Sequence, residues 1–387
     1  MYHPALDVDI RPGSGLGIFE LGSSLWTIIE LLTGLQNEFP QVETKFDIAS
    51  PTSPIIIHLR PHLDLLFSEH HQRLHTITLK RFRDAPPVTI RFKDRILFAP
   101  NQTLQRVDVN RAVGPTYEGE ELRYPGVWFS FDEHAAPQAQ NQEIKSITVT
   151  QHNGQERDGL QEVLECPVMC GDIARAVAKV HKGVLLHFYP TATSEPCFVE
   201  IGVTTAQDLS VELGSPLRTH YREDDRMHIH SRLRTNDEEE DDSSCMGPPS
   251  PRAFYLLCSP KDFYNYFHYG IDFLISGTTH TVRKIILHTN VPGTPLFHRY
   301  KRCPWEIEGV PEDDEDDSPP SVKFTETADR IRRFLNPRET PHHMPLNRTD
   351  DEEGLNLPNP ITRLWGFDGV ILEAAEPGQQ VVSLTLF

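Results

Sequence analysis

The chain has 387 residues and a net charge of −19, and 38% of its residues are hydrophobic. No stretch is basic enough to follow a phosphate backbone, which excludes nucleic acid as an expected partner. No segment approaches the roughly 18 apolar residues of a spanning helix, and the N-terminus lacks the pattern of a secretory signal.

The negative charge is concentrated in three runs. They hold 16 of the 56 acidic residues and lie at Asp237–Asp242, Glu312–Asp317 and Asp350–Glu353. Blocks of like charge repel one another and stay solvated, so we predict disordered acidic loops there. The six cysteines are scattered without a paired CxxC, which favours free thiols in a reducing, cytoplasmic compartment.

The chain begins with a glycine-rich stretch, Gly13–Gly17. It lacks the preceding strand and the long following helix that a dinucleotide-binding fingerprint requires. We therefore interpret it as a flexible lead-in rather than a phosphate-binding loop.

Two predicted units follow, at residues 17–80 and 98–150. In each, a short helix precedes two hydrophobic runs separated by a polar tip, the pattern of a β-hairpin. The segments are the helix Gly22–Leu32 with the runs His62–Phe67 and Arg73–Leu79, and the helix Thr103–Pro115 with the runs Gly126–Asp132 and Glu143–Val149.

Residues 151–197 do not match this unit and are predicted to connect it to the next. Gly183–Phe188 has the pattern of a strand, and the apolar run Ile173–Val180 has that of a helix. The sequence gives no account of how these two segments pack.

Two further units are predicted at 198–290 and 322–387. Thr204 and Gln207 form a predicted capping box at the start of a helix over Thr204–Pro216, with Leu209 and Leu213 on one face. In the last unit, Asn336 is expected to take the left-handed conformation that ends a helix. The remaining segments are the runs Gly270–Ile275 and Val282–Leu287, the helix Thr325–Pro337, and the runs Gly369–Glu373 and Gln380–Leu386.

The predicted fold class is α+β, with about four copies of a short helix followed by antiparallel β-hairpins that pack together. Five regions are assigned: an N-terminal half of two units at 1–150, a connecting segment at 151–197, a third unit at 198–304 with an acidic insertion near 232–252, an acidic linker at 305–321, and a fourth unit at 322–387 with a disordered loop near 339–360.

The sequence offers few candidate catalytic or metal-binding residues. The pair His228 and His230 could share one face of a strand, but no further ligand stands at a metal-binding spacing, and we interpret the two as surface histidines in a polar loop. Cys170 precedes the run Ile173–Val180, so a site built from Cys170 and a histidine is kept as an enzymatic or metal-binding alternative. No catalytic, cofactor-binding or metal-binding residues are assigned, and a binding or scaffolding role is expected.

Two stretches carry a family resemblance. The first has Leu213-Gly-Ser-Pro216, Tyr221, an acidic pair, and Met227-His-Ile-His-Ser231. The second has Asn265-Tyr-Phe267, Gly270–Leu274, His288-Thr-Asn-Val-Pro-Gly293 and Arg302-Cys303. These motifs resemble those of the phagosome assembly factor 1 family, earlier known as uncharacterised protein family 0183. The acidic insertions and residues 159–197 depart from the animal members.

The resemblance implies a non-enzymatic regulator of autophagy. It implies action with a WD40 β-propeller protein that resembles breast carcinoma amplified sequence 3, cytoplasmic location, and recruitment to the phagophore assembly site. Membrane association would be indirect, through a partner that binds phosphoinositides; direct lipid binding is a weaker alternative. Two segments are candidates for partner contact, although turn chemistry and strand packing explain them as well; their residues are Met227, His230, Ser231, His288, Asn290, Pro292 and Gly293.

Overall fold

The architecture is α+β, mostly β-sheet with four α-helices in the part of the chain that the computed structural model describes. The described residues are 6–47, 53–100, 102–116, 121–131, 142–151, 163–221, 261–309, 320–336, 342–347, 361–376 and 380–387. They form two halves, which we call the first half (6–151) and the second half (163–387). All three acidic runs, the residues Met227, His230 and Ser231, and most of the predicted loop at 339–360 lie outside the described residues.

The first half contains two helices and twelve strands among its described residues. The helices are α1 Leu25–Gly34 and α2 Arg106–Val113, and the strands are β1 Leu6–Arg11, β2 Gly15–Leu16, β3 Phe19–Glu20, β4 Val42–Lys45, β5 Ile55–Leu59, β6 Leu63–Phe67, β7 Leu74–Lys80, β8 Val88–Phe92, β9 Arg95–Phe98, β10 Leu122–Tyr124, β11 Val127–Phe131 and β12 Ile144–Thr150.

The second half begins with a 3₁₀ turn at Pro167–Met169. Its described helices are α3 Ala206–Glu212 and α4 Ala328–Leu335, and its strands are β13 Ile173–Lys179, β14 Gly183–Phe188, β15 Cys197–Glu200, β16 Arg218–Tyr221, β17 Lys261–Tyr266, β18 Ile271–Ser276, β19 Val282–His288, β20 Trp305–Glu308, β21 Ser321–Lys323, β22 His343–Asn347, β23 Ile361–Phe367, β24 Val370–Ala375 and β25 Val381–Leu386.

The two halves repeat the same strand order. Their five-stranded sheets run β3-β2-β1-β8-β9 and β15-β14-β13-β20-β21, each with one parallel pair at the same place, β1 with β8 and β13 with β20. Their larger sheets run β10-β11-β12-β7-β6-β5-β4 and β22-β23-β24-β25-β19-β18-β17-β16, in which β22 is an additional edge strand. The repetition that these orders show is therefore twofold, and they do not establish the predicted series of about four units.

Each half has its own hydrophobic core. One cluster joins buried residues of both sheets and both helices between Val8 and Val149, and the other does the same between Ile173 and Leu386. Alternation along the strands decides which side chains enter the core, because successive residues of a strand point to opposite faces. In β6, for example, Leu63, Leu65 and Phe67 are buried in the first core.

All four predicted hairpins are strand pairs in the structure. The runs after the helices form β6 with β7, β11 with β12, β18 with β19 and β24 with β25, each pair antiparallel. Two hydrophobic runs separated by a polar tip are the signal that made these strands predictable, and in β6 and β11 the buried and partly exposed residues alternate.

Two predictions about helix ends are wrong by a small margin. Helix α3 is capped by Thr205 rather than Thr204, with Asp208 completing the capping box. Thr204 is not available as the cap because its hydroxyl accepts a hydrogen bond from the Glu200 N–H. Asn336 is extended, with φ −147°, because it precedes Pro337 and proline disfavours helical conformations in the residue before it.

Two further interpretations are overturned. Ile173–Val180 is not a helix, because β13 pairs with β14 on one side and with β20 on the other. A strand in a parallel pair has a continuous apolar sequence, which resembles that of a buried helix. Gly13–Gly17 is not a flexible lead-in, since β1 and β2 form a tight hairpin with Leu16 fully buried. Trp305–Glu308, at the start of the predicted acidic linker, forms β20.

Candidate functional site

The predicted partner residues at His288–Gly293 lie at the start of the connection between β19 and β20. We call this connection, residues 289–304, the bridging loop. His288 and Asn290 are 6% and 4% exposed, and Gly293 is buried as well. The structure thus places this motif in the interior, where it contacts other parts of the chain.

A buried carboxylate, Asp272, is the centre of the polar contacts in this region. Asn265 Nδ2 donates to Asp272 Oδ1 at 2.7 Å, and His288 Nε2 donates to Asp272 Oδ2 at 2.9 Å. The Tyr300 hydroxyl donates to the same Oδ2 at 2.7 Å. Three donors from β17, β19 and the bridging loop therefore compensate the loss of water around this carboxylate. We call Asn265, Asp272 and His288 the second-half cluster.

The bridging loop covers the second-half cluster. The Tyr300 ring stacks on the His288 ring, with centroids 3.7 Å apart and an interplanar angle of 16°. Lys301 N–H donates to the Phe267 carbonyl at 2.9 Å, which brings the loop close to Gly270. A Cβ at Gly270, which has φ +72°, would lie 2.1 Å from the Lys301 carbonyl oxygen, so the loop can pass only over a glycine.

The first half has a cluster at the equivalent strand positions. In β5, β6 and β7 the register aligns His58, Asp64 and Thr78; in β17, β18 and β19 it aligns Asn265, Asp272 and Ile286. Lys80 follows Thr78 by two residues as His288 follows Ile286. We call His58, Asp64 and Lys80 the first-half cluster.

The first-half cluster is more open than its counterpart. His58, Asp64 and Lys80 side chains are 14%, 22% and 27% exposed, against 6% for Asp272 and 7% for His288. His58 Nδ1 donates to Asp64 Oδ1 at 2.6 Å, and Lys80 forms an ion pair with Oδ2. Burial opposes ionisation of Asp64, but these two bonds outweigh it and hold the pKa of this carboxyl below its usual range.

The bridging loop also joins the two halves. Gln72 Nε2 donates to the Asn290 carbonyl at 3.0 Å, and Asn290 Nδ2 donates to Gln72 Oε1 at 2.8 Å. Arg302 Nη1 donates to the carbonyls of Glu69 and His70 at 2.8 and 2.9 Å. The β6–β7 turn of the first half is thereby held against the bridging loop of the second.

An ion triad with two buried cations lies at the same junction. Asp172, just before β13, bonds Arg73 through Oδ2 and Lys301 through Oδ1, both at 2.5 Å. The Arg73 and Lys301 side chains are only 8% and 9% exposed. Arg73 Nη1 also donates to the Gly22 carbonyl at 3.2 Å. The triad ties the first half, the start of the second and the bridging loop together.

Lys301 is expected to make the stability of the protein rise with pH above about 8. Burial lowers the pKa of Lys301 from 10.5 to about 8, against the opposing effect of Asp172. Between these values the unfolded chain binds more protons than the folded one, so the free energy of unfolding increases with pH. Urea denaturation at several pH values in this window should show a steeper rise for the wild type than for Lys301→Met. Equal slopes would contradict the assignment.

Three of the four described cysteines, and His71 among the histidines, are at least partly buried. Burial raises the pKa of Cys166 and of Cys303, and raises the pKa of Cys197 to about 11. Burial lowers the pKa of His71 to about 4. Cys170 is exposed at the end of the 3₁₀ turn. Within the described ranges no group of three or more His, Cys, Asp or Glu residues is placed to hold a metal ion, and no helix is long and apolar enough to span a membrane.

Sequence reasoning missed both clusters and the triad. The signal for the clusters is present in the printed sequence, since Leu63-Asp-Leu-Leu-Phe67 and Ile271-Asp-Phe-Leu-Ile275 share an aspartate inside an otherwise apolar strand. A carboxylate at such a position needs donors from neighbouring strands. The triad has no such signal, because Arg73, Asp172 and Lys301 are distant in sequence.

Comparison with known proteins covers both halves. A family model described as Phagosome assembly factor 1 matches residues 15–387. A PHAF1 protein of Arabidopsis thaliana is 24% identical over 98% of this chain and 92% of its own length. PHAF1 proteins of Caenorhabditis elegans and Drosophila melanogaster are 28% and 32% identical over 47% and 27% of this chain, which is 36% and 20% of their lengths. No solved structure matches the chain.

Proposed function

Since the chain belongs to the phagosome assembly factor 1 family, we propose that it is a non-enzymatic regulatory protein of autophagy. The match of the family model over residues 15–387 is the observation that carries this proposal. The name of the family refers to assembly of a phagosome, and the relatives from plant, worm and fly bear the same family name.

The buried polar groups and thiols described above support a role in binding rather than catalysis. Asp272 and His288, an acid–base pair that could serve chemistry in an open site, are covered by the Tyr300 ring. The thiols of Cys166, Cys197 and Cys303 are held protonated by burial, and a thiolate is the reactive form of cysteine. These groups therefore contribute to the structure of the folded chain. Recognition of a partner would use the exposed surfaces instead.

The proposed partner is a WD40 β-propeller protein that resembles breast carcinoma amplified sequence 3. The complex would form in the cytoplasm and be recruited to the phagophore assembly site, with the partner binding phosphoinositides. Four sheets with several edge strands suit such a scaffold, because exposed sheet faces and edges are common sites of protein recognition.

Purification of the tagged full-length chain from starved cells is expected to recover a WD40 protein in stoichiometric amount. Quantitative mass spectrometry of the purified material is the measurement, and an unrelated protein with the same tag is the control. Recovery of the folded chain without a WD40 protein would contradict the proposed complex, and would leave the family membership as it stands.

A further inference from the structure

The two equivalent clusters differ in what covers them. In the second half, the chain itself places Tyr300 over Asp272. In the first half, the corresponding sheet face around Asp64 is partly exposed. We propose that this open face binds a loop of a partner protein, and that the loop places a tyrosine hydroxyl on Asp64 as Tyr300 does on Asp272. The inference rests on the proposed function, because the partner is taken to be the WD40 protein.

Loop length explains why the first half leaves its cluster open. The connection from β7 to β8 spans residues 81–87, whereas the bridging loop from β19 to β20 spans 289–304. Both ring nitrogens of His62 lie within 3.0 Å of carbonyl oxygens of Arg81 and Pro86, which holds the short connection beside the sheet. The nine additional residues of the bridging loop bring Tyr300 over the sheet, and the first half has no counterpart in this connection.

The hydrogen bonds of Asp64 indicate which side chain of a partner it would bind. Its two oxygens each accept one bond, from His58 and from Lys80, whereas Asp272 Oδ2 accepts two. An ionised carboxylate has room for a further donor, and a hydrogen bond to a charged acceptor is among the stronger ones. A tyrosine provides that donor, and its ring would lie beside Lys80, which occupies the register position of His288, the residue that the Tyr300 ring contacts.

The surroundings of Asp64 form a face that a protein loop can cover. Thr76 and Thr78 on β7 and Trp128 on β11 are partly exposed, and they point to the same face as Asp64 because the residues between them enter the first core. Trp128 supplies apolar area of the aromatic kind that is enriched at protein interfaces, and the hydroxyls of Thr76 and Thr78 on the same face can form hydrogen bonds.

Two variants of the full-length chain test this surface with the purified WD40 protein as the probe. Asp64→Asn removes the charge that the hydroxyl would bond, and Thr78→Arg places a bulky side chain beside it. Each is expected to raise the dissociation constant by about tenfold or more, which is the effect of losing a hydrogen bond to a charged group. Val211→Arg, at a side chain 75% exposed on α3, introduces the same residue elsewhere and should leave binding unchanged.

Cross-linking identifies the occupant directly. With p-benzoylphenylalanine in place of Thr78, the cross-linked peptide of the WD40 protein should contain a tyrosine within two or three residues of the attachment site. Changing that tyrosine to phenylalanine should reproduce the loss seen with Asp64→Asn. If both variants bind as tightly as the wild type, the inference is overturned while the proposed function stands. The same holds if the cross-linked peptide has no tyrosine near the attachment site. Absence of wild-type binding would overturn both.

Discussion

Replacing Asp272 by alanine is expected to lower the free energy of unfolding by about 3–5 kcal/mol, the usual cost of removing one partner from a buried charged group. The substitution leaves Asn265 Nδ2, His288 Nε2 and the Tyr300 hydroxyl without their acceptor in a site where the Asp272 side chain is 6% exposed. It also removes the hydrogen bond that holds the Tyr300 hydroxyl on the second-half cluster. Equilibrium urea denaturation followed by circular dichroism measures the loss.

Asp64→Ala is the matched control, because Asp64 occupies the same register position in the first half. Its partners His58 and Lys80 are partly exposed, and water can replace the lost acceptor. The expected loss is therefore about 1 kcal/mol or less, in the range of exposed ion pairs. Equal losses for the two variants would show that the two clusters contribute equally to the free energy of unfolding. That result would contradict the contrast between a closed and an open site.

The contrast between the clusters shows how one scaffold can serve two purposes. The strand order and register place a carboxylate at the same point of both large sheets. In the second half the long connection closes that point and reaches the first half through Asn290 and Arg302. In the first half the short connection leaves it accessible. The difference in loop length therefore accounts for Tyr300 covering Asp272, whereas the connection at 81–87 leaves Asp64 partly exposed.

Local structure was predictable from the sequence where local forces determine it. The strands of the hairpins follow from hydrophobic runs on either side of a polar tip, as in Leu63–Phe67, and the helix over 206–212 from its capping residues and the glycine after it. The misassigned cap at Thr204 shows the limit, since only the hydrogen bond to Glu200 N–H decides between two adjacent threonines. Family membership, expected from motifs such as His288–Gly293, is confirmed by the match over 15–387.

Long-range pairing was not predictable in the same way. The parallel pairs β1–β8 and β13–β20 join strands about 80 and 130 residues apart, and no local pattern encodes such a pairing. The twofold repetition became visible only from the strand order, because the helix and hairpin signals recur within each half as well as between them. The clusters needed the strand register, and the ion triad needed the packing of the two halves.

Asp172→Ala is expected to loosen the junction between the halves and lower the free energy of unfolding by about 3 kcal/mol, again because it leaves buried charge uncompensated. The two cations that remain, Arg73 and Lys301, are more than nine-tenths buried and repel each other. Each half keeps its own hydrophobic core, so calorimetry should resolve two separate transitions in the variant. Asp7→Ala serves as the control, because the Asp7–Arg91 pair is exposed and contributes little.

The pH dependence separates loss of charge compensation from loss of packing. At neutral pH the wild type holds Asp172 between two cations, whereas above the pKa of Lys301, about 8, only Arg73 remains charged beside it. The difference in stability between the wild type and Asp172→Ala should therefore narrow as the pH rises through this value. A difference that stays constant with pH would assign the effect to packing, because a cavity left by a side chain does not titrate. A single transition at every pH would show instead that the contacts of Gln72, Asn290 and Arg302 couple the halves without the triad.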